Sequence, residues 1–258
     1  MSALLAALAM DDSIDKDTDY TKSYVLESGL YKNAIVKMAY IEKKEAGSVW
    51  ANVFMETEEG KEISENFCLL SGDAKGNKNY YIGKSDKRKH YLPGFSTFNS
   101  LCLLATGAES SKQNVEGKVV QVWNNDSKTN VATTVEAFVD LLDKPITIGI
   151  IKERKFNQTK NDSGEYVATD KVIEVNNLDK FFRNSDLISS VELLAGSDRA
   201  AYYSQWESQN TGKTKDSTGG SEKSSQTKQP STVFAQASGT STATSGPQAE
   251  GKIFADRA

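Results

Sequence analysis

Apolar positions in the first part of the chain recur with a period of two. In residues 62–70 (EISENFCLL), Ile63, Phe67 and Leu69 alternate with polar neighbours, the spacing of a strand buried on one face. Residues 30–41 (LYKNAIVKMAYI) and 48–57 (SVWANVFMET) are rich in β-branched and aromatic side chains and predict two earlier strands. Gly47 and the Glu58-Glu59-Gly60 turn separate the three, which predicts an antiparallel meander. The period then changes. After Pro93-Gly94, the residues Phe95, Phe98, Leu101, Cys102, Leu104 and Ala105 share one face of a helix, and Gly107 supplies its stop. Strands resume at residues 118–123, 146–153 and 166–175, the last two flanking a polar connection, 157–164, that reads as a hairpin. Residues 178–194, with Phe181, Phe182, Leu187 and Leu193 apolar, predict a second helix.

Three strands, a helix and then further strands is the element order of an oligonucleotide-binding (OB) fold. That fold is a partly open, five-stranded Greek-key barrel that takes oligonucleotides on one face and through its loops. The expected fold is therefore mainly β with a few helices, an OB-like Greek-key barrel over residues 23–206. Residues 1–22 read as an acidic N-terminal arm, with five Asp and one Lys between positions 11 and 19. From Glu207 to residue 258 the chain is mostly Ser, Thr, Gly, Gln and Lys, with Phe234 and Phe254 as its only aromatics. Such a segment cannot bury enough apolar surface to offset its ordering entropy, which predicts a disordered C-terminal tail.

Composition narrows the chemistry. A chain of 258 residues that is 38% hydrophobic can hold one core of ordinary size. No apolar run approaches the ~20 residues a membrane crossing needs, so no membrane partner is expected. The opening MSALLAALAM lacks a basic flank and is followed by acids, which predicts a short helix or frayed end, while the cysteine usage fits a cytoplasmic protein. Cys68 and Cys102 lie far apart in apolar surroundings, without a CxxC, and His90 is the only histidine. That set does not make a zinc site; it predicts two reduced core thiols and no cofactor.

Charge is where the chain departs from the ordinary. Its formal net charge is −4, yet residues 75–95 (KGNKNYYIGKSDKRKHYLPGF) hold six Lys and Arg against one acid, Asp86. The cations are Lys75, Lys78, Lys84, Lys87, Arg88 and Lys89, interleaved with Tyr80, Tyr81 and Tyr91. A Lys-rich turn is most often a solvated surface. Here the tyrosines are not spaced to fill a core, and cations with ring faces are what a single strand needs for its phosphates and unstacked bases. Lys152, Arg154, Lys155, Phe156 and Lys160 form a second basic patch around one acid, Glu153. A cationic hairpin tip is the plain alternative there. Trp50 and Trp123, in predicted strands, are read as core before stacking platforms, and Trp206 as either an anchor or an exposed ring.

One enzymatic alternative has a footing. Asp143, the apolar run 146–151 and then Glu153-Arg154-Lys155 have the outline of a Mg²⁺-dependent nuclease site, with two carboxylates for the metal and a lysine near the attacking water. A solvated strand end explains the same residues. A non-nucleic-acid interaction protein, with the tail as its docking segment, is the other alternative.

Residues 25–185 resemble the single-stranded DNA-binding proteins of lytic tailed bacteriophages. The likeness rests on LYKNAIVKMAYI, on ENFCLLSGDAKGNKNYYIGKSDKRKHYLPGFSTFNSLCLL, and on ITIGIIKERKFNQTK followed by KVIEVNNLDKFF. The block through YYIGK and YLPGF carries most of it. The resemblance implies an OB-fold accessory that coats single-stranded DNA during replication, recombination and repair, without catalysis, in the host cytoplasm and alongside phage or host replication proteins. It also sets an exception: many such proteins end in an acidic tail, whereas residues 207–258 hold six cations against five acids.

Overall fold

The computed structural model describes residues 25–124, 127–161 and 164–219, with the side chains of Trp123 and Asn124 excepted. The acidic arm and the end of the tail therefore lie outside the described residues. The meander appears as expected: β1 (Gly29–Lys43), β2 (Val49–Glu56) and β3 (Glu62–Leu70) pair antiparallel in that order. A small hairpin comes next, β4 (Tyr80–Ile82) with β5 (Lys89–Tyr91), and then helix α1 (Pro93–Thr106). Proline at the first helical turn and Gly107 at φ 77 give α1 its start and stop.

Two long hairpins complete the sheet. The first joins β6 (Val115–Asn124) to β7 (Thr129–Phe138), and the second joins β8 (Pro145–Lys160) to β9 (Tyr166–Arg183). The strand order is β9-β8-β1-β2-β3. The free side of β1 is shared: its first half pairs with β8, and Tyr40 and Ile41 pair with β7. A bulge at Asn33 interrupts the β1–β8 ladder between Tyr31 and Ala34, its φ of 53 lying in the left-handed region that Asn tolerates better than most residues.

The sheet is mainly antiparallel and is not a closed barrel: among the described residues no ladder joins β3 to β9. Side chains fill that gap. Helix α1 packs on both strands, and Phe67 of β3 contacts both Phe98 of α1 and Phe181 of β9, with ring centroids 6.2 and 6.3 Å apart. Phe98 also meets Phe138 at 4.9 Å. The core around this cluster includes Leu101, Cys102, Leu141, Ile146, Ile148 and Ile150. Among the described residues no helix is long and apolar enough to cross a membrane.

Two sequence expectations need correction. The helix expected over 178–194 is instead the end of β9 through Arg183, and only α2 (Ser190–Leu194) is helical, behind a Ser189–Glu192 capping box. Phe181 faces the core while Phe182 faces Tyr202 and Trp206 on the other side of the sheet. A strand covered on both faces loses its period of two, and its apolar pairs mimic helical spacing. The tail boundary at Glu207 falls inside helix α3 (Tyr202–Asn210), whose Trp206 is only 2% exposed. The chain then runs on into β10 (Thr214–Asp216), parallel to β8 at Lys152–Arg154.

Candidate nucleic-acid interface

The basic segment is an ordered hairpin held against the β1–β2 turn. Asp73 N–H donates to Ala46 O at 2.9 Å, and Ser71 and Lys78 exchange two bonds: Ser71 N–H donates to Lys78 O, and Lys78 N–H to Ser71 Oγ. Gly72 is required at this contact, since a Cβ there would lie 2.5 Å from Ala46 O. At the tip, Gly83 N–H donates to Arg88 O at 2.8 Å. Asp86 accepts from Arg88 N–H and pairs with His90 Nε2 at 2.7 Å. The Arg88 amide and then the His90 side chain hold the Asp86 carboxyl below its ordinary pKa. The lone histidine, which sits among cations in sequence, thus has a carboxylate partner in space.

Pairing sets which rings share a face. Tyr80 lies opposite Tyr91 and Ile82 opposite Lys89, while Tyr81 lies opposite His90 with ring centroids 5.5 Å apart. Lys89 Nζ sits 4.8 Å from the Tyr80 ring centre and Lys78 Nζ 5.7 Å from it, so two cations lie close to the ring. Tyr91 is 61% exposed and leans on Phe95 at 5.1 Å. Lys84, Lys87 and Arg88 are exposed at the tip.

Between this hairpin, the β1–β2 turn and the end of β3 lies a groove of about 660 Å³. Lys75, Lys78, Tyr80 and Tyr81 line it together with Ile82, and the sequence singles out all but the last. Sequence pattern assigns Cys68, another lining residue, to the core; the thiol is instead partly exposed, while Cys102 is fully buried. Burial pushes the Cys102 thiol up to about 12 and also raises that of Cys68, the latter against the opposing charge of Lys75. Trp50 is half-buried on the outer face of β2, between the inward Ala51 and the β1–β2 turn. Its indole donates to Ser48 Oγ at 3.1 Å, and Ser48 also lines the groove. On the same face of β2, Phe54 stacks on Tyr40 at 6.0 Å.

The second patch divides. Among the described residues none of it lines the groove. Lys152 is bound to Glu27 at 2.9 Å and Glu174 at 3.2 Å with its side chain 15% exposed, and these bonds raise its pKa. Arg154 is exposed, Lys155 is half-buried, and Phe156 faces solvent opposite Val172. Farther out along the β8–β9 hairpin, Lys160 Nζ lies 5.5 Å from the ring centre of Tyr166, a platform that its position at a strand start concealed in the sequence.

The acids of the nuclease outline do not meet. Asp143 sits in the turn before β8, and the eight strand steps from Pro145 to Glu153 span about 25 Å. Glu153 is buried and already committed: Ser217 Oγ donates to it at 2.6 Å, Asn177 Nδ2 at 2.5 Å, and Lys215 Nζ lies at 2.9 Å. Burial alone would raise this carboxyl, but the bonds from Ser217, Lys215 and Asn177 outweigh it and hold the pKa at about 2. Among the described residues no group of three or more His, Cys, Asp or Glu is arranged to hold a metal ion.

Glu153 therefore clasps β10 to the body. Its pKa is depressed on folding, so its contribution is present above the ordinary carboxylate pKa and is lost as pH falls through about 2. Lys215 is half-exposed, which screens part of the effect, and Glu153→Gln is expected to cost roughly 2 kcal/mol at neutral pH. Urea unfolding at pH 7 and pH 3 checks this: the gap between wild type and variant should narrow at the lower pH. A constant gap would mean that the charge contributes nothing.

A scan against protein-family models finds no match, and neither curated proteins nor solved structures yield one.

Proposed function

We propose that this chain binds single-stranded DNA without strong sequence preference, with the β4–β5 hairpin and its groove as the principal contact. Tyr80 carries the assignment: it lines a concave groove with two lysine cations within 6 Å of its ring centre. Ring faces accept unstacked bases while Lys75, Lys78, Lys84, Lys87, Arg88 and Lys89 meet phosphates. Trp50 and Phe54 extend the platform along the outer face of β2. Arg154, Lys155, Phe156 and Tyr166 offer a second contact, whereas Lys152 is occupied by its carboxylate partners. The order β9-β8-β1-β2-β3, with α1 entering the chain after β3, supports reading the body as an open OB-like barrel carrying the β6–β7 hairpin as an insertion. In the setting implied by the phage resemblance, the chain coats DNA strands exposed during replication, recombination and repair.

Fluorescence anisotropy with labelled oligo-dT, the matching duplex and the matching RNA, with and without Mg²⁺, tests this. Salt-sensitive binding to the single strand with the probe left whole is the expected result. Tyr80→Ala should weaken it by ~1–3 kcal/mol at every salt concentration. Bound strand should also protect the groove thiol Cys68 from alkylation, which isolates the groove because Cys102 is fully buried. Cleavage of the probe with Mg²⁺ would favour the nuclease, and absence of binding the interaction protein.

A further inference from the structure

The β6–β7 hairpin takes no part in the groove. Its ladder runs from Val115↔Phe138 to Asn124↔Thr129 without a register shift, whereas the β1–β2, β1–β8, β2–β3 and β8–β9 ladders are all interrupted. Among the described residues no strand pairs with the outer edge of β6. That edge presents unpaired N–H and C=O groups along a regular strand of ten residues.

Proteins usually blunt such an edge with proline, bulges or clustered charge. Of the other long edges, β9 and β3 are blunted, while the side of β7 away from β6 is paired only at Glu136 and Ala137 among the described residues and offers no like pattern of opposite charges. β9 carries Asp170, Lys171, Glu174, Asp179 and Lys180, and its ladder with β8 has two register shifts. Helix α1 covers β3, since a Cβ on Gly94 would lie 2.5 Å from Cys68 N. β6 reads VEGKVVQVWN, with no proline, no bulge and a single lysine, and Val119 is 70% exposed.

We infer that β6 is a self-association edge, which pairs antiparallel with β6 of a second copy to give a continuous β7-β6-β6-β7 sheet. The charges select this occupant. Antiparallel pairing centred on Gly117 sets Glu116 of each copy opposite Lys118 of the other and Val115 opposite Val119, a ladder of five residues at the start of β6. Within one chain Glu116 and Lys118 already meet at 3.1 Å. The strand is thus self-complementary under a two-fold axis, as an isologous interface requires. Centring on Lys118 would instead oppose like charges, which is unfavourable across a ladder. A single ladder falls short of the roughly 1,000 Å² of a stable interface, so the dimer is weak and concentration-dependent. Two DNA-binding bodies joined this way would hold one strand with greater avidity than either alone.

Sedimentation equilibrium of the full chain without nucleic acid tests the inference over a micromolar to sub-millimolar range. A monomer–dimer equilibrium is expected for the wild type. Glu116→Lys and Lys118→Glu should each raise its dissociation constant about tenfold, since each turns two symmetric attractions into repulsions. The double exchange Glu116→Lys with Lys118→Glu should recover the dimer. Circular dichroism of the same samples reports whether each variant is folded. A monomer throughout the range, or a dimer unmoved by both single variants, would overturn it. No DNA is present, so this outcome is independent of the proposed function.

Discussion

Replacing Lys87, Arg88 and Lys89 together by alanine is expected to flatten the salt dependence of DNA binding. If about four phosphates are neutralised, shared among the six hairpin cations, log K falls against log salt with a slope near −3, and the triple variant, which keeps three of the six, should show a slope of about −1.5. At low salt its affinity should drop about a hundredfold, and the gap should close as salt rises. Lys87 and Arg88 are exposed at the hairpin tip, and Lys89 projects from β5 beside Tyr80, so none of the three is part of the core. The hairpin retains its Gly83–Arg88 and Asn79–Leu92 backbone bonds in the variant, because these involve main-chain atoms alone. Anisotropy titrations at four or more salt concentrations read the slope directly. An unchanged slope would remove the tip from the interface. The contrast with Tyr80→Ala is diagnostic, because loss of a stacking face weakens binding without altering counterion release.

Trp206→Ala is expected to destabilise the protein by about 3–5 kcal/mol. The indole is buried against Phe182, ring centroids 6.3 Å apart, and donates from Nε1 to Asp179 Oδ2 at 2.6 Å. It also lies over Gly149, where a Cβ would come within 2.8 Å of Trp206 Cζ2, so a glycine in the middle of β8 makes room for it. Removing the ring leaves a cavity on that side of the sheet and exchanges the indole bond to the exposed Asp179 carboxylate for water. It also loosens residues 212–216, because Gly212 N–H donates to Ser28 O and Ser28 Oγ to Lys213 O only while α3 is docked. Trp206→Phe keeps most of the apolar area and should cost less, about 1–3 kcal/mol from the lost indole bond and reduced volume. Urea unfolding followed by far-ultraviolet circular dichroism measures both. A loss below about 1 kcal/mol for Trp206→Ala would mean that residues 202–216 are not part of the cooperative unit, and the compositional boundary at Glu207 would stand.

Elements governed by near neighbours were legible in the residues. The period of two in residues 62–70, the β-branched runs of β1 and β2, and the Pro93-to-Gly107 frame of α1 each encode structure within a dozen positions. So did the local excess of cations around Tyr80 and Tyr81, because charge density and ring content need no partner from elsewhere in the chain. β7 was missed: TNVATTVEAF has a weak apolar pattern, since most of the strand is exposed and only its end reaches the core. The end of β9 was mistaken for helix because Trp206, some two dozen positions later, covers the face that should have been polar. Lys152 and Glu153 looked like surface charges, and only the return of β10 and residues 26–28 to β8 engages them. Propensity and periodicity are sums over adjacent residues, so they are written locally. Burial, charge pairing and the concavity beside Tyr80 arise between segments far apart in the chain, and those relations exist only once the strands have chosen their neighbours.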